Sequence, residues 1–176
     1  MAQEIRDTLS GLIGQRLVRS RNFLATRHFY FGQSAADPAG SLYTLGVECP
    51  WRIRRDRRIV AGSEDYGPMV ETDTDDSGQP GDPAGLQNQQ LAELLGGLKE
   101  DGSKVNTGSQ LAVELVDADE CGGFRIGLTE YCVLEVFPAS AGQMEWIIML
   151  PGTGALTLMN GVLSRTDARQ RGAKGK

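Results

Sequence analysis

Apolar and polar residues alternate along most of this chain with a period of two. In ATRHFYFG, Phe29 and Phe31 fall on one side and His28 and Tyr30 on the other. In SLYTLGVEC, Leu42, Thr44 and Gly46 oppose Tyr43, Leu45 and Val47. Successive side chains leave a strand on opposite faces, so this alternation predicts half-buried strands. The stretch 16–32 predicts two strands around a turn at Arg21–Asn22. CPWRIRRDRRIVAGS, at 49–63, predicts a hairpin. Trp51 and Ile53 share one face, Arg52 and Arg54 the other, and Asp56 lies near the turn. Strands follow at 110–119, at 124–138 as a hairpin around Thr129–Glu130, and at 144–152. In the second of these, Val133, Glu135 and Phe137 alternate against Cys132, Leu134 and Val136.

Elsewhere the period changes. Leu86, Leu91, Leu94, Leu95 and Leu98 have helical spacing, predicting an amphipathic helix near 86–98 that Gly96–Gly97 would end. The stretch 5–17 reads as a short helical turn or an irregular lead-in. Residues 70–85, VETDTDDSGQPGDPAG, hold few hydrophobes and predict a flexible acidic insert. It divides the chain into halves ending near 66 and starting near 86. Neither half has enough strands to stand alone, so both belong to one domain over 1–152. Residues 153–176 read as a polar, basic, partly disordered tail. The expected fold is α+β, mainly an antiparallel sheet of six to eight strands with one helix.

Composition agrees: 40% hydrophobic residues and 23 glycines suit a loop-rich β protein. There is no apolar run long enough to cross a membrane as a helix, and the N-terminus lacks the apolar core of a secretory signal. The three cysteines, Cys49, Cys121 and Cys132, have no metal-ligand spacing and an odd count, so neither a disulfide framework nor a zinc site is expected. These features predict a cytoplasmic protein with no membrane association. The net charge of −5 is unevenly spread. Residues 1–70 carry +3, 71–101 carry −7, 102–164 carry −5 and 165–176 carry +4.

Catalytic chemistry finds little support. His28 is the single histidine and stands in an alternating strand, where a solvent-facing or cross-strand role outweighs that of a base. No nucleophile elbow, zinc-protease motif or phosphate loop occurs. Asp73, Asp75 and Ser77 begin like a calcium loop, but its twelfth position is Ala84 rather than a bidentate glutamate. A solvated charge run accounts for these acids better. No catalysis, cofactor or metal is expected.

The arginines are the stronger lead. Arg52, Arg54, Arg55, Arg57 and Arg58 fall on one predicted hairpin, and Arg16, Arg19, Arg21 and Arg27 on an earlier one. If the hairpins were neighbours, nine guanidiniums would share a face. Three readings stand: a solvated or internally paired face, a surface for an acidic protein, and a phosphate-binding surface for nucleic acid.

A set of segments carries a resemblance: CPWRI at 49–53, GSED at 62–65, LEVFP at 134–138 and Trp146 in the last strand. Their order resembles a group of small bacterial domains, some encoded beside secreted polymorphic toxins and read there as immunity-type proteins. The resemblance implies a stoichiometric binder whose partner is another protein, a toxin or an assembly subunit. It implies that Arg52, Arg54, Arg55, Arg57 and Arg58 meet an acidic patch and that Asp73, Asp75 and Asp76 meet a basic one. The alternative is a nucleic-acid-associated subunit that grips phosphates through its arginine-rich hairpins.

Overall fold

The computed structural model describes residues 1–32, 43–65, 85–95, 110–140, 142–152 and 154–167. Alternation becomes pairing: these residues hold eleven strands in two sheets, and every pair is antiparallel. The six-stranded sheet has the order β1 (Arg16–Phe23), β2 (Thr26–Gly32), β3 (Tyr43–Val47), β9 (Met144–Leu150), β10 (Gly154–Met159), β11 (Val162–Asp167). The five-stranded sheet runs β5 (Arg58–Gly62), β4 (Trp51–Arg55), β8 (Cys132–Val136), β7 (Phe124–Leu128), β6 (Val113–Ala118). Two α-helices, α1 (Ala2–Leu9) and α2 (Gly85–Leu95), and a short 3-10 turn at Ser10–Leu12 complete the described chain. The fold is α+β and mainly antiparallel, with more strands than the six to eight expected.

The sheets pack face to face through their alternating apolar positions. Phe29 of β2 meets Trp51 of β4 edge-on, with centroids 5.1 Å apart. Phe124 of β7 meets Trp146 of β9 at 5.3 Å in the same way. Edge-to-face contact suits the ring quadrupoles, and Trp146 Nε1 also donates to Gly122 O at 2.9 Å. Both tryptophans are core residues. At one corner the sheets are joined by backbone: Leu17 N donates to Leu111 O and Val113 N to Gln15 O, each at 2.8 Å.

Three local readings differ from the structure. The β1–β2 turn is at Leu24–Ala25, where Phe23 pairs with Thr26, not at Arg21–Asn22. Arg21 and Asn22 continue the strand because their partners His28 and Arg27 extend it. The lead-in contains a full helix, α1, whose Ala2, Ile5 and Leu9 are buried at helical spacing. Residues 154–167 are not tail but a hairpin of the larger sheet. Asn160 and Gly161 both have positive φ, 55° and 69°, as a tight two-residue hairpin turn requires. The predicted helix is present as α2, which begins at Gly85, the last residue of the acidic insert expected at 70–85; the rest of that insert, Leu98 and the end of the tail lie outside the described residues.

Candidate functional site

The alternation in β4 turns Trp51 and Ile53 inward and leaves Arg52 and Arg54 on the outer face of the five-stranded sheet. In β8, Cys132, Leu134 and Val136 join the core while Val133 and Glu135 face out. In β7, Phe124, Ile126 and Leu128 join it while Arg125 and Gly127 face out. Cross-strand register then builds two rows. One holds Arg52, Glu135, Arg125 and Asp117. The other holds Ile59, Arg54, Val133, Gly127 and Leu115. Gly127 is covered by Leu115, whose Cγ lies 2.7 Å from where a Cβ would stand.

Glu135 is the centre of the charged row. Its side chain is only 4% exposed, and three guanidiniums surround it. Arg52 Nε donates to Oε2 at 2.6 Å, Arg54 Nε lies 3.6 Å from Oε2, and Arg125 Nε lies 3.4 Å from Oε1. A carboxylate this enclosed demands pairing, and the sheet supplies it from both neighbouring strands. Arg52 also lies over the Phe137 ring, 4.9 Å from its centroid. The far end of the row is closed by Asp117, which meets Arg6 of α1 at 3.5 Å. Ile59, Leu115 and Phe137 are large exposed apolar side chains on this face or at its margin.

The remaining hairpin arginines go elsewhere. Arg55 donates through Nε to Cys132 Sγ at 3.3 Å and pairs with Glu130 at 3.0 Å. The bond to Cys132 holds its guanidinium above the ordinary arginine value, against a smaller opposing effect of burial. Arg57 and Arg58 are exposed at the tip beside Asp56, whose N–H donates to Tyr131 O at 2.9 Å. Asp73, Asp75 and Asp76 lie outside the described residues. The two arginine hairpins occupy different sheets, so the nine guanidiniums do not share a face. Arg27 is buried and binds α2 instead, donating to Gln87 Oε1 at 2.7 Å and Asn88 Oδ1 at 2.8 Å. Sequence reasoning missed Glu135 and Arg125. The one available signal was a single acid in the otherwise apolar run CVLEVF.

The chemistry-bearing residues do not converge. His28 faces outward on the six-stranded sheet and stacks on Tyr30, with centroids 6.3 Å apart. Partial burial lowers its pKa, helped by nearby Arg27. Burial, with Glu145 beside it, pushes the Cys49 thiol up to about 12, so it stays protonated and unreactive at neutral pH. Among the described residues, no group of His, Cys, Asp and Glu could hold a metal ion. A recess of about 180 Å³ opens between Asp117, Asp119, Arg125 and Phe137. It is smaller than small-molecule sites, which run to roughly 300–1,000 Å³. Asp119 Oδ1 already accepts from Cys121 N at 2.8 Å and Gly123 N at 3.0 Å. No known family model matches this chain, and neither a curated protein nor a solved structure is significantly similar to it.

Proposed function

We propose that the protein is a non-catalytic protein-binding module, immunity-like or an accessory subunit of a larger assembly. It docks on its partner through the outer face of the five-stranded sheet. The observation that carries this reading is the pairing of the two rows on that face. A row with exposed Ile59 and Leu115 runs beside the charged row, and its Arg54 joins Arg52 and Arg125 around one nearly buried glutamate. Apolar area supplies affinity, and the excess of guanidinium supplies rate and selectivity toward an acidic surface. Arginine is enriched at such interfaces for this reason.

Affinity capture with the tagged full chain from its host, with and without nuclease, tests it. The expected result is one stoichiometric protein that survives nuclease and is lost when Ile59→Asp and Leu115→Asp are combined. Both side chains are more than half exposed, so the variant leaves the core intact. Retention of the partner by the double variant moves the interface off this face. Loss of every partner after nuclease replaces this reading with nucleic-acid binding through the arginines.

A further inference from the structure

Resting on that reading, we infer that Arg52 and Arg125 form a twin site for two carboxylates of the acidic protein partner, and that Glu135 is the residue that positions them. Each of the two arginines meets Glu135 through Nε, one on each carboxylate oxygen. The Nη atoms of both make no hydrogen bond among the described residues. A guanidinium whose Nε is already committed keeps the Nη1–Nη2 edge for a second, bidentate carboxylate. Arg54 is not equivalent, because its Nη1 donates to Asp56 O at 2.9 Å.

The spacing follows from the sheet. Arg52 is on β4 and Arg125 on β7, and β8 with Glu135 lies between them. Two inter-strand steps separate their backbones by about 10 Å, and their Nη edges point away from the glutamate that both Nε atoms share. The shared glutamate and the Phe137 ring under Arg52 fix side chains that are otherwise rich in rotamers. Fixing them before binding removes part of the ordering cost of association. Glu135 itself is too enclosed to meet a partner. Three guanidiniums around one carboxylate leave an excess of cation that two incoming carboxylates would neutralise. The neighbouring row of Ile59, Val133 and Leu115 calls for an apolar ridge beside those acids. That ridge, and Asp117 at the end of the charged row, favour a protein over a phosphate backbone.

A capped helical peptide tests the geometry, because helical residues seven apart are about 10.5 Å apart on one stripe. The probe carries Glu at that spacing with Leu on the adjoining stripe. Its control has the same composition with the two Glu adjacent. Anisotropy titration of the full chain should show the spaced peptide binding about tenfold more tightly than the control. Arg125→Gln should weaken it about tenfold while leaving the melting temperature nearly unchanged, because that side chain is 62% exposed. Glu135→Gln gives the deciding sign. It adds positive charge, so a site set by charge alone would bind the peptide more tightly, whereas a positioned pair binds it more weakly. Equal affinity for the two peptides, an unaffected Arg125→Gln, tighter binding by Glu135→Gln, or displacement of the peptide by a short DNA duplex would each overturn the inference. A host partner captured equally by wild type, Arg52→Gln and Arg125→Gln removes the carboxylate site but leaves the binding module standing. No captured partner and no peptide binding removes both.

Discussion

Cys49 shows how a residue's surroundings decide its chemistry. It sits between β3 and the arginine hairpin, shielded from solvent and beside the buried Glu145, whose carboxylate accepts from Ser140 N at 2.7 Å. A thiolate there would be desolvated and repelled. At pH 8, iodoacetamide should therefore label Cys121 alone in the native protein, since Cys49 and Cys132 are buried and Cys121 is exposed. All three should react in denaturant, and rapid native labelling of Cys49 would contradict this environment. The pH dependence has a definite sign. The unfolded thiol ionises near 9.0 and the folded one near 12, so in that window the unfolded state has lost a proton that the native state keeps. Stability from this group is full below pH 9 and is lost as pH rises toward 12. The melting temperature should fall more steeply over that range in wild type than in Cys49→Ser.

Elements are held by contacts that their own sequence does not announce. α2 lies against β1 and β5, one strand of each sheet, and Arg27 fastens it there. Gln87 in turn donates to Ser63 O at 2.8 Å, after β5. Arg27→Ala removes a buried side chain and takes the arginine partner from the buried Gln87 amide oxygen, costing about 2–4 kcal/mol. Hydrogen exchange should show protection lost first over 85–95; unchanged protection there would mean that apolar packing alone seats the helix. The β10–β11 hairpin depends on Gly154, with φ of 117°, where a Cβ would lie 1.8 Å from Thr166 O. Gly154→Ala should detach β11 and raise amide exchange over 162–167 while β4 and β8 stay protected.

These cases also show what was legible. The hairpin at 49–63 was readable because strict alternation separates its tryptophan and isoleucine from its arginines. β11 was not, because five of its six side chains are exposed and it carries no apolar face. Glu135 was visible only as a lone acid, since the bond that gives it meaning reaches Arg52 across 83 residues. Register between distant strands decides such partners, and no local pattern encodes it.

At the scale of the molecule, the decisive feature is where the two halves of the chain meet. Residues 1–65 supply β1, β2 and β3 to one sheet and β4 and β5 to the other; residues 110–167 supply the rest. Each sheet therefore has one seam, β3 against β9 and β4 against β8. Neither half contains a complete sheet, and each leaves two strand edges unpaired without the other, β3 and β4 in the first half and β9 and β8 in the second. Such long-range pairing also implies slow folding, on the order of milliseconds to seconds. The arginine site straddles the second seam, with Arg52 and Arg54 on one side and Glu135 and Arg125 on the other. Fragments 1–65 and 85–176, expressed separately, should each lack dispersed amide resonances and regain them on mixing at equal concentration. Arg52 and Arg125 variants should leave that reassembly intact, because buried apolar neighbours across the two seams, such as Leu45 beside Ile148 and Ile53 beside Leu134, drive it. A fragment that folds alone would show instead that one half is an independent domain. The binding face would then have to be sought within that half, away from the seam.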